Sequence, residues 1–146
     1  MPIDIRAVTA GDHDKWSDLW RSYLQFYKTE LPPEVYAASW QRILDPDTPM
    51  HSALAFRGDE AIGLVNFLYH KSFWDTRDRC YLNDLYVSTD TRGAGAGESL
   101  IRYVDTHAAG CGAGEVYWLT AKDNLTARRL YDRVATETPF IKYKIA

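Results

Sequence analysis

Thr91-Arg92-Gly93-Ala94-Gly95-Ala96-Gly97-Glu98-Ser99 is the stretch of this sequence whose residue types best suit a ligand. Small residues let a backbone approach a ligand closely, and a helix opening behind them offers unpaired N–H groups to an anion. A phosphate or pyrophosphate is the ligand class that this chemistry suits. A tight strand-to-helix turn is the other use of the same glycines. A Walker loop needs GK[ST] after its glycines, and no lysine follows Gly97. A dinucleotide fingerprint, counted from Gly93, wants glycine where Glu98 stands, and an acidic end to the next strand where the sequence reads Trp118-Leu119-Thr120.

The surrounding pattern must supply a strand before that loop and a helix after it. Arg79 to Val87 reads as the strand, and Leu100, Ile101, Tyr103, Val104 and Ala108 give the helix its apolar face, stopped by Gly110 to Gly114. Upstream, Ile3 to Val8 alternates as a first strand, and Thr9 with Asp12 resembles a helix start. Trp16, Leu19, Trp20, Tyr23 and Tyr27 then fall at spacings of three and four, an amphipathic helix with an aromatic face. Pro32-Pro33 breaks it and opens a second helix carrying Val35, Tyr36, Ser39, Trp40 and Ile43. Ser52–Phe56 and Ala61–Tyr69 form a hairpin about Arg57-Gly58-Asp59-Glu60. Val116 to Thr120 reads as a short central, buried strand, Asn124 to Val134 as a helix, and Pro139 to Ile145 as a final strand with one solvated face. The expected order is β-α-α-β-β-β-α-β-α-β: one α/β (α+β) domain over 1–146, without repeat or linker.

Composition narrows the classes. A net charge of −3 gives no bulk electrostatic footprint for nucleic acid, and no apolar run reaches the ~20 residues of a membrane span. Cys80 and Cys111 make no disulfide framework, and His13, His51, His70 and His107 show no metal-ligand spacing, so each is read as a surface or packing residue. GxSxG is absent, so no nucleophile elbow is expected. MPIDIRAV is neither a signal nor a transit peptide, which leaves a cytoplasmic protein as the expectation.

Three motifs in order resemble those of the GNAT superfamily of N-acetyltransferases, over essentially the whole chain. Arg92-Gly93-Ala94-Gly95-Ala96-Gly97 matches its R/Q-x-x-G-x-G/A signature. Tyr81 to Val87 looks like the strand before that signature, and Asn124-Leu125-Thr126-Ala127-Arg128-Arg129-Leu130-Tyr131 like the N-x-x-A-x-x-x-Y helix beyond it. The resemblance implies a GNAT fold, a mixed sheet of about six to seven strands flanked by about four helices. It implies acetyl-CoA as co-substrate and no metal. Leu85, Tyr86 and Val87 would meet the acetyl-pantetheine arm, and Arg92, Gly93, Ala94, Gly95, Ala96, Gly97 and Glu98 the pyrophosphate. Asn124, Ala127 and Tyr131 would complete the cofactor side.

The implied reaction is direct attack of a primary amine on the thioester in a ternary complex. Tyr131 matches the family's general acid for the departing thiolate, since a phenol with a pKa of about 10 can protonate such a base. The base is open. Relatives place a glutamate where Asn83 stands; Asp84 keeps a carboxylate, but successive strand residues point to opposite faces. A water chain to Asp84 or Glu30 is the hypothesis. Tyr27, Glu30, Trp74 and Asn83 are the candidate acceptor contacts, because aromatic faces with a carboxylate suit a cationic amine. The Val116-Tyr117-Trp118 strand and the ending Thr138 to Tyr143 look most like the yeast Hpa-type branch, which acetylates histone tails, polyamines or amino acids and dimerises through terminal strands. A small-molecule or peptide amine and a second copy of the chain are therefore the expected partners. The other functional class is a GNAT-fold module that binds acetyl-CoA without turnover.

Overall fold

In the computed structural model, residues 2–91 and 93–146 are described. Five strands form one sheet in chain order: β1 (Ile3–Ala7), β2 (Met50–Arg57), β3 (Glu60–His70), β4 (Arg79–Val87) and β5 (Glu115–Tyr117). All neighbours are antiparallel except β4 and β5, which are parallel and joined through helix α3 (Ala96–Gly110). Helices α1 (His13–Phe26) and α2 (Pro33–Leu44) precede β2, and α4 (Leu125–Val134) follows β5.

The sheet is buried on both faces, so its strands carry apolar residues at successive positions rather than alternate ones. Along β2, Ala53 and Ala55 pack with Val65, Phe67, Leu82, Leu100 and Val104 under α3. Leu54 and Phe56 pack with Trp16, Leu19 and Leu64 under α1. Gly63 lets α3 approach: a Cβ there would lie 3.1 Å from both the Leu100 methyl and the Tyr86 carbonyl oxygen. At the start of α1, the buried Asp12 carboxylate accepts from Arg6 Nη1 at 2.8 Å and from the Thr9 N–H at 2.8 Å. Those bonds, Arg6 foremost, hold its carboxyl at about 2 against the cost of burial.

Three expectations are corrected. Among the described residues the sheet has five strands, not six to seven. The strand expected from Pro139 to Ile145 is absent; residues 135–146 are neither helix nor strand, and Phe140, Ile141, Tyr143 and Ile145 are exposed. Alternation needs a partner edge, and β5 offers only three residues. The third concerns β5 itself, expected to be central and buried to Thr120. It is an edge strand ending at Tyr117, because its ladder stops at Tyr81↔Tyr117 and Trp118 instead packs edge-on to Tyr131, ring centroids 5.4 Å apart.

A histidine pair lies under the C-terminal end of α3. The His51 and His107 rings stand 4.9 Å apart, against Phe67, Tyr69 and Tyr103, with the Tyr69 hydroxyl 2.6 Å from His107 Nδ1 and Cys111 Sγ 3.8 Å from it. Burial lowers both imidazoles from 6.5, and His107 lowers His51 further. The unfolded chain therefore takes up these protons first as pH falls, so stability is complete above 6.5 and declines below it toward the folded values. Urea midpoints are expected to fall with acidification across this window, and His107→Gln should flatten the decline; an equal slope in both chains would assign it elsewhere.

Candidate active site

The bulge between β3 and β4 decides where the site's carboxylate points. Asn66 pairs with Asp84 and Phe67 with Leu82, so Asn83 is an extra residue on β4. A bulge breaks strict alternation and re-aims side chains. Asn83 and Asp84, adjacent in sequence, consequently line the same cavity. The expectation that they must face apart fails for this reason.

That cavity, about 130 Å³, lies between the sheet and helices α1 and α2. Trp16, Trp20, Ile43, Met50 and Leu68 wall it, with Asn66, Asn83 and Asp84 as its polar end. Asp84 Oδ2 accepts from Asn83 Nδ2 at 2.6 Å and Asn66 Nδ2 at 3.2 Å, and the Tyr23 phenol lies near enough to the carboxylate to lower its pKa. Burial raises the Asp84 pKa above 3.8 although those three groups pull it down. The result is a desolvated carboxylate, oriented by amides and more basic than one in water.

Asn66 is held in turn. Its Oδ1 accepts from Trp16 Nε1 at 3.4 Å, and the same indole donates to Ser52 Oγ at 3.1 Å. Trp20 differs: its Nε1 is the one buried side-chain nitrogen or oxygen without a partner among the described residues.

On the other side of β4 stands Tyr131 of α4, against Trp118 and the α3-side core. Burial, then proximity to Tyr27, raises its phenol. Tyr23 is raised by burial and then by Asp84, so Tyr23, Tyr27, Tyr131 and Asp84 share one neighbourhood. From Leu82 to Tyr86, beyond the end of the β5 ladder, the sheet continues only on the β3 side.

The glycine loop leads into α3. Gly93 and Gly95 take φ of +91° and +85°, the left-handed region that favours glycine, and no side chain caps α3 at Gly95. Gly97 admits α4, since a Cβ there would meet Leu130 at 3.1 Å. The α3 N-terminus thus keeps first-turn N–H groups for an anion, with Ala94 and Ala96 adding no bulk. Glu98 turns its carboxylate to Arg133 at 3.0 Å, which lowers its pKa. Asn124 is the N-cap of α4, its Oδ1 accepting from the Ala127 N–H at 3.4 Å. Arg92 lies outside the described residues.

Of the acceptor contacts expected from sequence, only Asn83 lines the cavity. Tyr27 and Glu30 are exposed at the end of α1 and beyond it, and Trp74 stands 92% exposed in the β3–β4 connection. The walls were missed. Trp16, Trp20, Ser39 and Ile43 read as helix periodicity, yet all four line the cavity. Asn66 carried a usable signal, a lone amide inside the apolar run Ala61 to Tyr69.

The sequence pattern of the acetyltransferase (GNAT) family matches residues 14–135. The D-amino-acid N-acetyltransferase HPA3 of Saccharomyces cerevisiae is 38% identical over 144 residues, covering 97% of this chain and 89% of the relative. Among solved structures, AAC(6')-Iy in complex with the bisubstrate analog CoA-S-monomethyl-acetylneamine superposes with a TM-score of 0.89 at 19% identity, covering 100% of this chain and 99% of that one. A ribosomal-protein-alanine N-acetyltransferase from Brucella melitensis biovar Abortus 2308 gives 0.84 at 21% identity, covering 99% of each chain. At those identities the two structures speak for the fold.

Proposed function

We propose that this chain, which belongs to the acetyltransferase (GNAT) family and is an N-acetyltransferase, takes its acetyl group from acetyl-CoA and delivers it to the primary amine of a small free acceptor such as an amino acid. The observation that carries the reading is the buried Asp84 carboxylate at the polar end of a cavity, with Tyr131 across β4.

The amine nitrogen attacks the thioester carbonyl carbon, the C–N bond forms and the C–S bond breaks. An alkylammonium with a pKa of about 10.4 must first lose a proton, and the ionised Asp84 accepts it directly or through water. Tyr131 gives its phenolic proton to the departing thiolate. As the amide forms, the nitrogen gives up a second proton, which restores the Tyr131 phenol through water, and the proton on Asp84 passes to solvent; ammonium and thioester thereby become amide, thiol and one released proton. Gly93, Gly95 and the α3 N-terminus would bind the pyrophosphate through main-chain N–H groups, with Arg92 contributing a charge. Asn124 keeps its Nδ2 for the cofactor while its Oδ1 caps α4.

Thiol release from acetyl-CoA across amino acids, alkylamines, polyamines and lysine peptides tests the reading. Stimulation by small free acceptors is expected. Stimulation by lysine peptides alone would move the acceptor class, and none by any amine despite acetyl-CoA binding would overturn the reading.

A homodimer belongs to the same proposal. Phe140, Ile141, Tyr143 and Ile145 alternate with Lys142 and Lys144 in an exposed segment, and β5 leaves an open sheet edge, a pairing that favours strand addition between copies. Light scattering is expected to give a dimer for the intact chain and a monomer once 139–146 are deleted. A monomeric intact chain at micromolar concentration would dismiss it.

A further inference from the structure

The charge inventory of the cavity restricts what can fill it. Among the described residues that line it, the ionisable ones are Asp84 and His51; none is lysine or arginine. His51 brings no positive charge at neutral pH: its ring lies with Phe67 and His107 on the α3 side of the sheet, where burial and His107 keep it neutral. The remaining walls are aromatic or aliphatic. We propose that this cavity takes the acceptor's ammonium together with an uncharged, mainly apolar side chain, and that it discriminates against acidic side chains and against polyamines. This rests on the acetyl-transfer reading and names the acceptor class within it.

Three physical terms support the selection. One carboxylate, already bonded to Asn66 and Asn83, satisfies one ammonium; a second cation inside would be desolvated without a counter-charge. An acidic side chain would face Asp84 with no cation to offset the repulsion. Size sets the third term, because a cavity of about 150 Å³ holds benzene. At 130 Å³ this one suits a branched aliphatic side chain or a small ring, and an extended polyamine exceeds it.

Leucine, asparagine and aspartate share the α-ammonium and α-carboxylate, so those cancel in the comparison; their side chains have nearly the same shape and differ in polarity and charge, which separates these terms. With both enantiomers assayed and the faster one compared, kcat/KM is expected to run leucine above asparagine, with aspartate at least about 100-fold below leucine. Spermidine is expected below an alkylamine of similar length. Leu68→Lys, which places a cation at the cavity wall beside Met50, should narrow the leucine-to-aspartate ratio about tenfold or more. If that chain fails to fold by circular dichroism, Met50→Lys serves the same purpose. Aspartate within tenfold of leucine, spermidine above the alkylamine, or a ratio unmoved in the lysine variant would overturn the selectivity. Quenching of tryptophan fluorescence by the same acceptors, through Trp16 and Trp20, reads the ranking without turnover. Absence of thiol release with every acceptor defeats the acetyl-transfer reading instead, while the binding order still decides this one.

Discussion

Asp84→Asn is expected to lower kcat/KM for amine acetylation by about 10²–10⁴-fold, the usual range for a positioned acid or base, with acetyl-CoA affinity little changed. The substitution keeps size and shape and removes the negative charge, and with it the ability to accept a proton. It should also change the pH profile. Asp84 must be ionised to act, so native activity declines as pH falls through its pKa, which burial places above the ordinary carboxylate value of 3.8. The asparagine variant should lack that limb. Stability moves differently: a carboxyl whose folded pKa is raised stabilises the fold when protonated and loses that contribution as pH rises through the folded value. At neutral pH the variant should therefore unfold within about 1 kcal/mol of the native chain, because lost hydrogen bonding and lost charge burial oppose each other. Tyr131→Phe should cost less. A thiol with a pKa near 8.5 is a good leaving group, and a phenol raised above 10 by burial donates to it uphill. Equal kcat/KM for native and Asp84→Asn chains across the pH range would remove Asp84 from the mechanism and return the search to water or Glu30.

Local rules carried the sequence reading furthest where one strand or helix decides the outcome. Arg79 to Val87 is a strand with those bounds, because apolar residues recur along it and the glycine loop follows at once. The α1 stripe needed only its spacings of three and four. The site was less legible because it depends on register. Whether Asn83 and Asp84 face together is settled by one extra residue opposite Asn66, and no pattern within Tyr81 to Val87 announces that bulge. The cavity walls are hidden for a related reason. A tryptophan that lines a pocket and one that fills a core have the same period, so Trp16 and Trp20 look alike in sequence although one is bonded and the other is not. The tail fails in the opposite sense. Ile141, Tyr143 and Ile145 have the pattern of a strand, and what they lack within the chain is an edge long enough to pair with.

That difference between the two tryptophans gives the second large effect. Trp16 is 1% exposed, packed against Trp20 and Trp40 with ring centroids at 6.1 and 5.3 Å. Trp16→Ala is expected to cost about 3–5 kcal/mol, a large share of the roughly 5–15 kcal/mol that holds a domain together. At about 2–4 °C per kcal/mol, Tm should drop by roughly 6–20 °C. Trp16→Phe isolates the polar part: it keeps most of the ring and leaves Ser52 Oγ and Asn66 Oδ1 without their donor, for about 1–3 kcal/mol. Trp20→Phe removes an N–H that has no partner, so it should cost under about 1 kcal/mol. Urea titrations of the three variants read this order directly, and equal losses at the two phenylalanine substitutions would refute it. The same contrast reaches the chemistry. Trp16 fixes the Asn66 amide with its oxygen toward the indole and its nitrogen toward Asp84, so Trp16→Phe frees that amide to turn and accept from the Asp84 carboxyl when it is protonated, which favours the neutral form. The Asp84 pKa should then rise and the acid limb of kcat/KM move to higher pH, while Trp20→Phe gives no such rise. A structural wall and a positioning residue are told apart by the direction of that limb, because loss of packing alone admits water to Asp84, lessens its desolvation and moves the limb to lower pH.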